Sequence, residues 1–178
     1  GLTIESKNAL SLNQNHQFTF NPGTLPAKAA ANAGGDAFRS ELDTRQFTSD
    51  NTITYKTSFN KKHNLDVMGG ASIYYNNKNY VSVNAKGLLV DALSWNDLSG
   101  VSDKDNYTVK SYNTKVKRMS FLARANYNFK NRYYFTFTGR VDGSSNFAAN
   151  KKWGFFPSGA FKWNLSKEQW IRKLNFFQ

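Results

Sequence analysis

The sequence predicts an all-β fold of antiparallel, up-and-down strands, and three observations carry that reading. Aromatic residues make up 16% of the 178 positions, in a chain otherwise rich in Asn, Thr and Ser. Such residues suit strands and turns better than helices. Apolar and polar residues alternate with period two over several long stretches, the mark of a strand with two unlike faces. Short turns alternate with longer polar segments, so one end of the sheet is expected to be tidy and the other elaborate.

Residues 1–20 alternate weakly through Leu2, Ile4, Leu10, Leu12, Phe18 and Phe20, which suits a strand or two. The small residues of 21–45, with Asn21-Pro22-Gly23 as a turn signal, predict a long loop without a core. From Thr52 to Phe59, Ile53, Tyr55 and Phe59 oppose Thr54, Lys56 and Ser58. Asn60–His63 is a turn, and a second strand sets Leu65, Val67, Gly69, Ala71 and Ile73 against Asn64, Asp66, Met68 and Ser72, completing a hairpin. A second long loop is expected over 76–107.

Alternation returns with Met119, Phe121, Ala123, Ala125, Tyr127 and Phe129 opposite Ser120, Leu122, Arg124, Asn126 and Asn128. After a turn at Lys130-Asn131, Tyr133, Phe135, Phe137, Gly139 and Val141 oppose Tyr134, Thr136, Thr138, Arg140 and Asp142. Asp142-Gly143-Ser144-Ser145 reads as a turn opening a loop of about ten residues. A last strand carries Trp153, Phe155, Gly159, Phe161 and Trp163 on one face, and its Pro157 predicts a bulge or a missing ladder bond. Ser166, with Gln169 three residues on, predicts a capped helical turn or two. Asn175–Gln178 reads as the start of another strand, and no signal peptide opens the chain, so an internal part of a larger protein is expected.

The absence of cysteine removes disulfides, thiol catalysis and thiolate metal sites. His16 and His63 lack the neighbours of a metal site and are expected in polar loops or turns. Asp103-Lys104-Asp105 lacks the later Gly and Glu of a calcium loop and reads as surface. No catalytic motif or cofactor fingerprint is present, so neither an enzyme nor a cofactor is expected. The net charge is +12, but Lys and Arg are scattered rather than striped, which argues against a nucleic-acid partner. No run reaches the roughly 18 apolar residues of a membrane helix. A barrel strand needs only about ten alternating residues, and short turns, long loops and aromatics gathered near strand ends fit an outer-membrane barrel.

The runs Phe121-Leu122-Ala123-Arg124-Ala125-Asn126-Tyr127, Asn131-Arg132-Tyr133-Tyr134, Arg140-Val141-Asp142-Gly143-Ser144-Ser145-Asn146-Phe147 and Trp153-Gly154-Phe155-Phe156-Pro157-Ser158 with Trp163 closely resemble the barrel of the SusC/RagA family of TonB-dependent outer-membrane transporters. The match covers 51–172 well and 1–50 loosely. Ala123 stands where family members often have Gly. The resemblance implies that the whole chain, 1–178, is a segment of a 22-stranded transmembrane barrel, without plug, TonB box or signal peptide, in the outer membrane of a Gram-negative, Bacteroidetes-like cell. It further implies import of oligosaccharides or peptides, with a SusD-like surface lipoprotein, TonB acting through the plug, and lipid as partners.

In such a wall, Arg124, Asn126, Asn128, Arg140, Asp142 and Lys162 would face the lumen. Phe121, Tyr127, Phe129, Tyr133, Phe135, Phe137, Trp153, Phe161 and Trp163 would face lipid or form the aromatic girdle. Arg140 and Asp142 read either as a luminal charge pair or, more simply, as a turn-capping carboxylate with a neighbouring counter-charge. The competing account of the chain is a soluble antiparallel carbohydrate-binding sheet whose aromatic face is a glycan platform or a core between two sheets.

Overall fold

The computed structural model describes residues 1–101, 103–148 and 150–173; the strand expected at Asn175–Gln178 lies outside them. Six strands, β1 (Leu2–Asn21), β2 (Gly35–Phe59), β3 (His63–Leu88), β4 (Tyr107–Phe129), β5 (Tyr133–Ser144) and β6 (Trp153–Trp163), form one sheet in the order β1-β2-β3-β4-β5-β6. Two short helices, α1 (Pro26–Ala30) and α2 (Gln169–Lys173), accompany them. No described helix is long and apolar enough to cross a membrane, which says nothing of strands.

The chain packs as two compact units, residues 1–9, 47–75 and 116–178 in the first and 10–46 and 76–115 in the second. In the first, the two tight turns follow one rule. Asn60 and Lys61 have φ of 50° and 52°, Lys130 and Asn131 have 54° and 52°, and Lys62 and Arg132 donate back to the carbonyls of Phe59 and Phe129. Two successive positive φ values make the primed two-residue turn whose twist matches that of the strands it joins. From these turns β4, β5 and β6 run in unbroken register, Phe129↔Tyr133↔Trp163 at one end and Met119↔Gly143↔Trp153 at the other.

Two expectations are corrected in this unit, at Asp142-Gly143 and at Ser166, and of the two alternatives at Pro157 the bulge is excluded. β5 continues through Asp142-Gly143 to Ser144, pairing Asp142 with Ser120, so this is strand and not turn. The reason is Trp153: a Cβ on Gly143 would sit 2.8 Å from its ring, so the glycine serves a close approach rather than a reversal. Pro157 pairs with Gly139 in register without a bulge, on the last strand of the sheet, where a missing N–H is tolerated. Ser166 lies inside a 3₁₀ turn, Leu165–Lys167, whose N-cap is Asn164.

The second unit overturns both expected loops. Strand β2 begins at Gly35 and β3 runs to Leu88, so residues 35–45 and 76–88 are sheet; 21–34 contains α1, and 3₁₀ turns occupy Asp91–Asn96 and Lys104–Asn106. Pairing with polar neighbours extends these strands where apolar alternation has stopped. Asn113 donates to Asn77 at 3.0 Å and also to Asn79, and Tyr80 stacks on Tyr112 at 4.9 Å. The small residues also build a core. Ala37, Ala85 and Leu88 are buried, with Phe20, Leu98, Val101 and Tyr107 packed against them. Gly34, at φ +67°, lies so close to Leu88 and Gly87 that a Cβ would meet the Leu88 carbonyl at 2.7 Å. His16 is in β1, 3.8 Å from Glu41, rather than in a loop.

Candidate functional site

Registered strands turn the alternation of β4–β6 into two continuous faces. One face places Arg124, Thr138 and Ser158 in a row, then Asn126, Thr136 and Ala160, then Asn128, Tyr134 and Lys162. In the other direction Leu122, Arg140 and Phe156 align, followed by Ser120, Asp142 and Gly154. All six residues expected to face a lumen are therefore on one face. Their side chains are tied locally: Thr136 donates to Asn126 at 2.9 Å, Asn128 to Asn131 at 2.7 Å, and Lys162 lies over the Tyr134 ring at 5.5 Å. Arg140 Nε reaches both Asp142 oxygens at 2.8 and 2.9 Å. The counter-charge of the simpler reading is thus present, while its turn is not.

Several grooves indent this face, and two of them join β4 to the hairpin of β2 and β3. One, of about 490 Å³, is lined by Lys56, Asn64, Asp66, Asn126, Asn128 and Thr136 among others. Lys56 and Asp66 stand 3.4 Å apart across it. Asp66 Oδ1 and Asn128 Oδ1 are buried without a hydrogen-bond partner among the described residues. The other, of about 340 Å³, joins Asp50, Ser72, Ser120 and Arg140. Lys56, Asn64 and Asp66 fall on a polar face by alternation, and the up-and-down order sets their hairpin beside β4; the groove between them depends on the tertiary structure.

The opposite face is aromatic. Along its edge nearest the tight turns, Phe59 stacks on His63 at 4.7 Å, His63 meets Phe129 at 4.9 Å, Phe129 meets Tyr133 at 6.3 Å and Tyr133 meets Trp163 at 6.1 Å. A second tier follows, Tyr127 against Phe135 at 6.3 Å and Phe135 against Phe161 at 5.0 Å. The tyrosine and tryptophan tips of this belt are engaged. Tyr127 O–H lies 2.6 Å from His63 Nδ1, while Tyr133 O–H and Trp163 Nε1 donate to Glu168 at 2.7 and 3.2 Å. Glu168 also accepts from Arg132 at 3.1 Å. The Tyr133 hydrogen bond, then that of Trp163, holds the Glu168 carboxyl below the usual range against the opposing effect of burial. Sequence reasoning missed His63, placed in a loop, and Glu168, whose place depends on the chain doubling back after β6.

Farther along the same face, Phe137 lies over Gly159 and Phe155 over Gly139, with would-be Cβ contacts of 3.8 and 3.4 Å. These rings stay in the open, Phe137 63% and Phe155 65% exposed. No large side chain is fully buried among the described residues, so within this chain the aromatic face is not packed against a second sheet. No group of three described His, Asp or Glu side chains is placed to hold a metal.

A sheet of registered antiparallel strands with one polar and one exposed aromatic face, and tight turns at one end, defines the wall of a β-barrel. No family model matches the chain. It is 36% identical to TonB-dependent receptor P3 of Formosa agariphila over 156 residues, 88% of this chain and 15% of the receptor. TonB-dependent receptor P26 of the same organism is 30% identical over 98% of this chain and 18% of its own length. TonB-dependent receptor SusC of Bacteroides thetaiotaomicron is 37% identical over 40% of this chain and 8% of its own. Among solved structures, the RagAB peptide transporter superposes with a TM-score of 0.81 at 21% identity, covering 95% of this chain and 18% of that one. The chain belongs to the SusC/RagA-type TonB-dependent receptors, as a stretch of their barrel. It spans less than a fifth of the length of these relatives.

Proposed function

We propose that this chain forms six neighbouring wall strands of an outer-membrane transporter that imports oligosaccharides or peptides in a Gram-negative, Bacteroidetes-like cell. The observation that carries the reading is the β4–β6 register, which sorts Tyr127, Phe129, Tyr133, Phe135, Phe161 and Trp163 to one face and Arg124, Asn126, Asn128, Arg140, Asp142 and Lys162 to the other. β5 and β6, of 12 and 11 residues, have about the 9–11-residue length of a tilted barrel strand. The aromatic face meets lipid, with the five-ring row from Phe59 to Trp163 as its girdle at one interface. The polar face meets the lumen, where plug and solute meet the groove lined by Lys56, Asn64 and Asn126. Energy would come from TonB through the plug, and a SusD-like lipoprotein would cover the long-loop side. RagAB is described as a peptide transporter, which keeps peptides beside oligosaccharides as the substrate class.

The tight turns then face the periplasm and the segment after β3 faces outward. In the full-length protein, Asp103→Cys should react with a membrane-impermeant maleimide on intact cells, and Asn131→Cys only after the outer membrane is opened. Labelling of the Asn131 variant alone on intact cells would reverse the orientation.

A further inference from the structure

The aromatic face carries a feature that the transporter reading leaves unused. At the end of the β4–β6 register away from the tight turns, a groove of about 410 Å³ is lined by Ile73, Tyr75, Met119 and Trp153 together with three cationic residues, Lys117, Arg118 and Lys152. Its floor is preorganised. Trp153 lies flat on Gly143, where no side chain could fit beneath it, and stacks on Phe121 at 6.2 Å.

The two lysines are fixed by backbone bonds to the end of β5. Ser145 N donates to the Lys117 carbonyl at 2.9 Å, Ser144 N donates to that of Lys152 at 3.1 Å, and Lys117 N returns to Ser145 Oγ at 3.0 Å. Lys117 Nζ stands 5.9 Å from the centre of the Tyr75 ring. Neither lysine forms an ion pair among the described residues, and no Asp or Glu lines the groove. Asp142, adjacent to Gly143, belongs to the other face and is held by Arg140.

An apolar trough lined by Lys117, Arg118 and Lys152 and by no carboxylate complements a molecule with an acyl chain beside an anion. A free anion would leave the trough bare, and a neutral lipid would leave the ammonium groups unmatched. We infer that this groove binds a phosphate-bearing lipid of the leaflet on the long-loop side, its headgroup between Lys117 and Lys152 and an acyl chain along Trp153. Snorkelling lysines at an apolar boundary and aromatic rings at headgroup level suit that placement.

The inference rests on the barrel reading, and the test separates the two. The full-length receptor in detergent is titrated with phosphatidylglycerol or phosphatidylcholine and bound lipid is counted by native mass spectrometry; heat-modifiable gel mobility reports the folded barrel independently. The wild type should retain phosphatidylglycerol in preference to phosphatidylcholine, without displacement by millimolar-range inorganic phosphate. Lys117→Gln with Lys152→Gln should weaken that retention about 30-fold, at about fivefold per basic residue near an anionic headgroup, with mobility unchanged. A heat-modifiable receptor that binds both lipids alike, loses phosphatidylglycerol to phosphate, or is indifferent to the double substitution overturns the lipid site and leaves the barrel standing. A receptor without heat-modifiable mobility rejects the barrel reading and this site with it.

Discussion

Phe137 and Thr136 are adjacent in β5 and lie on opposite faces, because successive side chains of a strand alternate. Phe137 stands in a row with Ala125 and Gly159, and Thr136 in a row with Asn126 and Ala160. Four residues separate Phe137 from Tyr133 in the aromatic belt; at about 3.4 Å per residue and a tilt of about 45° it sits ~10 Å above that row. In an apolar band about 25 Å tall this is the middle third, where an arginine facing lipid costs about 2–4 kcal/mol. Phe137→Arg should lose that much folding stability in lipid vesicles. Thr136→Arg loses the hydroxyl that donates to Asn126 at 2.9 Å, about 0.5–1.5 kcal/mol, and its new charge meets a water-lined face. Its larger effect should be on uptake. Urea titration of both full-length variants in vesicles, alongside solute uptake in cells, measures the two quantities. Equal destabilisation, or a greater loss for Thr136→Arg, would refute the assignment of faces on which the lumen and lipid roles depend.

Two further expectations concern the anchoring of the aromatic rows. Glu168 has a folded-state pKa below its ordinary value, so its contribution to stability is present above the unfolded pKa and is lost as pH falls through the folded one; Glu168→Gln should therefore be less stable than wild type at neutral pH, with the gap closing on the acid side of about pH 4. A gap that is constant with pH, in chemical unfolding of the lipid-embedded protein, would exclude a charge-dependent role for the carboxylate. Gly143→Ala should force the Trp153 ring off the β5 backbone, given the 2.8 Å would-be contact, at a cost of about 1–3 kcal/mol; near-ultraviolet circular dichroism should register the displaced indole, and an unchanged spectrum would show that the ring does not rest there.

The sequence by itself determined the strands whose two faces differ. Phe121–Phe129 and Tyr133–Val141 are legible because period-two alternation leaves one arrangement that keeps Arg124, Asn126 and Arg140 apart from Tyr127, Phe129 and Phe135. Both tight turns are legible for a related reason, since short polar runs between such strands leave space only for a reversal. Where both faces are polar the signal vanishes: residues 76–88 are strand because hydrogen bonding to β4 does not depend on hydrophobic contrast, as the Asn77, Asn79 and Asn113 contacts illustrate. Glycine was ambiguous for a similar reason. Gly143 looked like a turn residue, and only the arrival of Trp153 from β6 gives it its purpose. Alternation separated the candidate lumen residues from the aromatic ones, but the bidentate Arg140–Asp142 pair, the groove at Asp66 and Asn128, the clasp of Glu168 on Tyr133 and Trp163, and the stacking of His63 into the belt needed the tertiary structure. Each joins residues distant in sequence or depends on a side-chain conformation, and a local pattern, which records only what neighbours along the chain prefer, does not fix which side chains of those strands touch.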